Sequence, residues 1–223
     1  MTKGFIFDFN GTLFWDSHMH YDAWIEFSKR LRGTPFTNEE MQKYMFGRTN
    51  ADIIAYALGE KQPQDVVEKL AKEKESYYRD MCRRDPEHFV LASGVVELLD
   101  YLKSNNIPRT IATMSEKDNV DFYIEGFQLA KWFDIDKIVY SDGTILGKPA
   151  PDIFLKASHN IGVKPSDCVV FEDAVSGIES AKRAGIGTIV AVASMEDVSY
   201  YQNIEGISAI IKDFKNIQKT ILI

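Results

Sequence analysis

A chain of 223 residues, 45% hydrophobic and 12% aromatic, has the material for one large core or for a core with a smaller companion domain. Its 26 Lys+Arg against 33 Asp+Glu give a formal charge of -7, which argues against nucleic acid as a partner because phosphate backbones call for a basic surface. No apolar run reaches the roughly 18 to 20 residues that cross a bilayer, and the opening MTKGFIFDF has neither the basic region nor the long apolar stretch of a signal peptide. The expected setting is therefore the cytoplasm, with no membrane partner.

In chain order, the first expected strand is Gly4 to Phe9 (GFIFDF), apolar and bounded by polar or turn residues. No strand pattern follows from about Ser17 to Asp85. Helical periodicity over Tyr21 to Leu31, Asn38 to Met45, Asn50 to Leu58 and Pro63 to Cys82 predicts an inserted helical domain instead, although the KEKES run is a polar gap in the last of these. Next comes a helix with Val95, Leu98, Leu99 and Leu102 on one face, then short apolar runs at Pro108 to Thr113, Lys137 to Tyr140, Asp167 to Phe171, Gly187 to Val192 and Ala209 to Ile211. Ile178, Ala181 and Ala184 mark a helix that stops at Gly185. Strand alternating with helix implies an α/β fold, a doubly wound parallel sheet with helices on both faces. The expected division is a core of residues 1–16 and 87–223 with a helical cap at 17–86, a lid over the C-terminal ends of the strands. Cys82 and Cys168 lie in unlike contexts and are read as free thiols.

The first strand ends in a carboxylate, Asp8, followed by a turn through Asn10 and Gly11. An acid at the end of an apolar strand is costly unless a cation, hydrogen bonds or solvent compensates it, so Asp8 reads as a site residue. The run Val169 to Asp173 repeats the pattern and delivers Glu172 and Asp173 to the same rim. Hard oxygen ligands there suit Mg²⁺, which keeps water and substrate phosphate as its other ligands. A third strand ends in Thr113-Met114-Ser115, hydroxyl donors at the matching position, and Lys148 stands before a helix between Gly147 and Pro149.

Asp8-Phe9-Asn10-Gly11-Thr12, Thr113, Lys148 and Glu172-Asp173, in this order, resemble the four motifs of the haloacid dehalogenase (HAD) superfamily. From Phe5 to about Val192 the chain is similar to the helical-cap phosphatases and β-phosphoglucomutases of that family. The resemblance implies a Rossmann-like core in which Asp8 is the nucleophile and forms an aspartyl-phosphate. It implies Mg²⁺ held by Asp8, the backbone carbonyl of Asn10 and Asp173, with Glu172 acting through the metal's water. Thr113 and Lys148 would hold the transferring phosphoryl group, with Met114, Ser115 and the backbone N–H groups around Phe9 and Asn10 lining its cradle. The implied partner is a small phosphorylated metabolite, and the chain is expected to act as a monomer.

One position departs from the pattern. Phosphatases and mutases of this family carry a second Asp where this chain has Asn10, and that Asp serves as the general acid and base. An amide does not titrate in this range. Three accounts follow: a slow phosphatase, an enzyme whose acid/base comes from the cap or the substrate, and a binding or regulatory protein. In the cap, His20 resembles the His at the start of the mutase cap and is a candidate hinge or proton shuttle. Arg48 is a candidate for holding a distal phosphate or carboxylate. Phe46 and Asn50 stand where the mutase pattern carries basic residues, which ranks a metabolite phosphatase above a phosphosugar mutase.

Overall fold

The structure is a computed structural model that describes residues 3–44, 49–194, 197–215 and 217. The chain divides into two compact units, Met1–Trp15 with Val90–Ile223, and Asp16–Phe89.

The larger unit is built on a six-stranded sheet: β1 (Gly4–Phe7), β2 (Arg109–Glu116), β3 (Val139–Ser141), β4 (Cys168–Glu172), β5 (Thr188–Val192) and β6 (Ala209–Ile211). The spatial order is β3-β2-β1-β4-β5-β6 with every pair parallel, a doubly wound arrangement whose order reverses at β1. Phe7 of β1 is in register with Ile111 of β2 and Phe171 of β4. β1 ends two residues before the expected Phe9 because the chain turns there, with the Phe9 carbonyl accepting from the N–H groups of Thr12 and Phe14. β2 runs past the expected Thr113 to Glu116, after a register shift against β3.

Both faces of the sheet are covered, so its central strands are apolar throughout rather than alternating. On one face Ile6, Ala112 and Val170 pack with Ile153, Phe154 and Ala157 of α7 (Asp152–Asn160) and with Ile178 and Ala181 of α8 (Val175–Arg183). The intervening Phe5, Phe7 and Phe171 stack on one another, with Phe7 and Phe171 only 4.9 Å apart and nearly parallel. α5 (Val95–Ser104) buries Val95, Leu98, Leu99 and Leu102, the face its spacing predicts, and α6 (Lys117–Gly126) buries Val120 and Tyr123. A short α9 (Val198–Tyr201) ends in the buried Tyr201.

Among the described residues the smaller unit holds four helices, α1 (Ser17–Arg32), α2 (Asn38–Tyr44), α3 (Asn50–Leu58) and α4 (Gln64–Arg84), around Trp24, Phe27, Phe36, Met41, Ile53, Ile54, Ala57 and Ala71. The side chain of Thr49 and that of Asp52 cap the start of α3 reciprocally. α4 runs unbroken through the KEKES gap, because Lys74 and Glu75 are buried as an ion pair of 2.6 Å rather than solvated. That pair belongs to a polar chain: Asn50 donates to Glu75 at 3.0 Å, Lys74 Nζ meets His20 Nδ1 at 3.2 Å, and His20 Nε2 lies 3.3 Å from Asp16, which also accepts from the Tyr78 hydroxyl. An ammonium only donates, so His20 Nδ1 accepts and Nε2 carries the proton toward Asp16. Among the described residues no helix is long and apolar enough to cross a membrane.

Both cysteines are free and buried, and burial pushes the Cys82 thiol up to about 12 and the Cys168 thiol up to about 11. Ellman's reagent is therefore expected to find no rapidly reacting thiol in the native protein, and both on unfolding. A folded thiol with a raised pKa keeps a proton that the unfolded chain releases. This contribution to stability is thus full below pH of about 9 and is lost as pH rises from there toward 11. Melting curves between pH 8 and 11 check the sign.

Candidate active site

Ligands of open parallel sheets bind beyond the strand C-termini where the order reverses, and here that point is β1 flanked by β2 and β4. Asp8 follows β1, Glu172 closes β4 with Asp173 after it, and Thr113 and Ser115 lie in the last part of β2. Lys148 comes from the loop before α7, and its peptide bond to Pro149 is cis. Its ammonium bridges Asp8 Oδ1 at 2.6 Å and Glu172 Oε2 at 2.7 Å. Glu172 also accepts from the Ala174 N–H at 3.2 Å, and Asp173 accepts from the Thr12 hydroxyl at 3.1 Å. The main-chain oxygen of Asp173 accepts from the Tyr201 hydroxyl at 2.8 Å.

Two glycines let these carboxylates close in. Gly11 has φ 77°, and a Cβ there would strike the Asp173 carboxylate. Gly177, in the first turn of α8, lies so close to the Glu172 carboxylate that a Cβ would overlap it. Gly177→Ala is therefore expected to cost about 1–3 kcal/mol in stability, from the overpacking alone, and to displace Glu172 from Lys148. A thermal melt together with the activity assay checks both.

Oxygen atoms of Asp8, Glu172 and Asp173 all lie within 4.8 Å of one another. Burial, and then the charge of Asp8, raises the Glu172 carboxyl well above the usual range and lifts Asp173 to about 7. Burial alone would lower the Lys148 ammonium, but Asp8 and Glu172 overturn that and hold it above its ordinary value. Three carboxyl groups gathered about one ammonium, two of them buried and the third half-buried, form a site short of positive charge. An all-oxygen donor set of this kind, with only carboxylates converging, fits a hard divalent cation such as Mg²⁺.

Asn10 is held from both ends. Its Oδ1 accepts from the Ser115 hydroxyl at 2.7 Å and more weakly from Thr113 at 3.4 Å, while its Nδ2 donates to the Tyr123 hydroxyl at 2.9 Å. Thr113 Oγ1 in turn accepts from the Ser115 N–H at 3.1 Å. The Tyr123 ring stacks on Phe9 at 4.5 Å. Phe9 is fully buried and could meet a ligand only through its backbone, while the partly buried Met114 side chain packs against the core of the sheet.

The larger unit thus brings Asp8, Asn10, Thr113, Ser115, Lys148, Glu172 and Asp173 together. His20 lies in the polar chain of the smaller unit, with both ring nitrogens engaged. Arg48 and Phe46 lie outside the described residues. Sequence reasoning missed Tyr123 and Tyr201, which hold Asn10 and Asp173, and the hydroxyl of Thr12, which does carry a signal, since it stands four residues after Asp8 in the same turn.

Residues 2–185 match the family model of the haloacid dehalogenase-like hydrolases. A phosphorylated carbohydrates phosphatase of Thermotoga maritima is 30% identical over 191 residues, 84% of this chain and 83% of its own length. A β-phosphoglucomutase of Bacillus subtilis is 29% identical over 189 residues, 82% of this chain and 80% of its own. Among solved structures, a HAD hydrolase of family IA, variant 3, from Entamoeba histolytica is 43% identical with a TM-score of 0.90, over 95% of this chain and 93% of that one.

Proposed function

We propose, starting from a chain that belongs to the haloacid dehalogenase-like hydrolase family, that this phosphoric monoester hydrolase uses Asp8 as a nucleophile on small phosphorylated metabolites, with Mg²⁺ as its cofactor. The observation that carries the reading is the Lys148 ammonium bridging Asp8 and Glu172 within a cluster of three carboxylates at the strand C-termini. Asp8 and Asp173, with the main-chain carbonyl of Asn10, would hold the cation, and Glu172 would support it. Bound there, Mg²⁺ supplies the positive charge that lets an anionic phosphate approach anionic side chains.

An oxygen of Asp8 attacks phosphorus, and the bond from phosphorus to the ester oxygen breaks. The electron pair leaves with that oxygen and the phosphoryl group stays on Asp8. Water then attacks the acyl phosphate, releases orthophosphate and restores the carboxylate. Lys148 orients Asp8, and offsets charge as it builds on the phosphoryl oxygens. Asn10 has no proton to give to the leaving oxygen and none to take from water. The ester oxygen must therefore depart unprotonated or draw its proton from solvent, and the Asn10 amide acts as a hydrogen-bonding group only. Substrates with good leaving groups, aryl and acyl phosphates, are favoured over sugar phosphates.

Phosphate release from an aryl phosphate, acetyl phosphate and a panel of sugar phosphates, with Mg²⁺ or with EDTA, tests this. Expected is release that EDTA abolishes, fastest for the aryl and acyl phosphates. Release that persists in EDTA, or none from any substrate, contradicts the reading. The relative from Bacillus subtilis favours a mutase as the second reading. Against it, the Asn50 amide is committed to Glu75, where the resemblance calls for a basic group. Interconversion of sugar phosphates that requires a sugar bisphosphate would decide for the mutase.

A further inference from the structure

The strands' N-terminal rim, opposite the carboxylate cluster, holds a concavity of about 340 Å³. That is within the range of small-molecule sites, about 300–1,000 Å³. Its lining includes Lys103 of α5, Arg109 at the start of β2 and Lys137, together with the apolar Ile107, Pro108 and Ile161. Three cations against a single lining carboxylate, Asp134, reverse the sign of a chain whose formal charge is -7.

Arg109 is the unusual member. Its Nη1 donates to the Ile107 carbonyl at 2.8 Å, but its Nε is buried and has no hydrogen-bond partner among the described residues. No ion pair between Arg109 and a carboxylate of the described residues accompanies that burial. Burial lowers its basicity, with no opposing charge to offset it. A buried N–H without a partner is disfavoured, and a guanidinium stripped of part of its water with no anion supplied is more so. The two lysines also have capacity to spare. Lys103 spends one N–H on the Lys131 carbonyl at 2.6 Å, Lys137 lies 3.4 Å from Asp134, and an ammonium has three donors.

We propose that this concavity is a binding site for a small organic phosphate, whose phosphate group pairs with Arg109, Lys103 and Lys137 while its carbon skeleton lies along Ile107, Pro108 and Ile161. A guanidinium suits this better than an ammonium, because its fork matches two phosphate oxygens at once. Arg109 is four residues before Thr113 on β2, about 13 Å at the rise of a strand, so this site and the catalytic one occupy opposite rims of one sheet. The inference stands independently of the catalytic reading.

Calorimetric titration of the intact protein in EDTA tests it, with inorganic phosphate in one arm and glucose 6-phosphate in the other. Expected is saturable binding that survives Lys148→Met, which removes the cation of the catalytic rim, and weakens at least tenfold in Arg109→Met. Lys137→Ala, at an exposed position, is expected to weaken it several-fold and serves if Arg109→Met does not fold. Glucose 6-phosphate binding more tightly than phosphate supports the organic ligand. Equal affinity in the two arms overturns the apolar wall as a contributor, and with it the organic phosphate. Binding lost in Lys148→Met, or unchanged in both Arg109→Met and Lys137→Ala, overturns the site.

Discussion

Asp8→Ala is expected to lower kcat by about 10⁴-fold or more on every substrate, the scale on which losing a covalent nucleophile acts. The same substitution is expected to leave the melting temperature in metal-free buffer unchanged or higher. Asp8, Glu172 and Asp173 crowd within 4.8 Å of one another, and the charge of Asp8 is among the causes that raise the other two carboxyls. Removing one of the three relieves that repulsion, while Lys148 keeps Glu172 at 2.7 Å. A group that destabilises the fold at rest and is indispensable in turnover is the pattern of a site held for chemistry. Parallel assays and melts of the two proteins provide the check. Turnover that persists in Asp8→Ala removes the nucleophile from the account, and a large drop in melting temperature removes the claim of electrostatic crowding.

Asn10→Asp is expected to raise kcat on sugar phosphates by about 10²- to 10⁴-fold, the usual worth of a positioned general acid/base. Aryl phosphates, whose leaving oxygen needs less help, are expected to gain much less. The surroundings can take the carboxyl group as they take the amide. Ser115 and Thr113 already donate to the oxygen at this position, and the Tyr123 hydroxyl, which accepts from Nδ2 at 2.9 Å, can turn its own hydrogen toward a carboxylate oxygen. The gain should therefore appear in kcat with little change in KM. Steady-state kinetics on one aryl and one sugar phosphate measure it. A loss on both would show that Asn10 matters for shape rather than for want of a proton, and an equal gain on both would place its effect on the water step that all substrates share.

The acids of the site were readable in the sequence because each ends an apolar run, where an ionisable group is otherwise costly. Asp8, Glu172 and Asp173 stand out by that rule alone, and the alternation of strand and helix places them on one rim. What joins them was not readable. Asn10 and Tyr123 are separated by 113 positions, and the hydrogen bond between them depends on how α6 packs on the turn after β1. Tyr201 reaches the Asp173 carbonyl from α9, a helix too short to carry a periodic signal. Gly11 and Gly177 are recognisable as glycines, but the carboxylates a side chain would strike appear only in three dimensions.

The polar gap in α4 misled for a similar reason. Lys74 and Glu75 are part of a polar gap in one dimension, and their pairing with each other, His20 and Asn50 accounts for their burial. Arg109 falls inside an expected strand, Pro108 to Thr113, and nothing in the sequence singles it out. Its buried Nε and the concavity beside it come from elements that the chain brings to the lower rim from α5 and from the segments after β2.

The central claim is that the phosphoryl group passes through Asp8. A rapid acid quench of the Mg²⁺-loaded protein during turnover of ³²P-labelled acetyl phosphate, followed by proteolysis and peptide mapping, tests it directly. The account predicts acid-stable, hydroxylamine-labile label on the peptide that contains Asp8. That label should appear no later than free phosphate does and should chase into free phosphate when excess unlabelled acetyl phosphate is added. Label on any other peptide, or steady release of phosphate with no labelled peptide at any time, would contradict it.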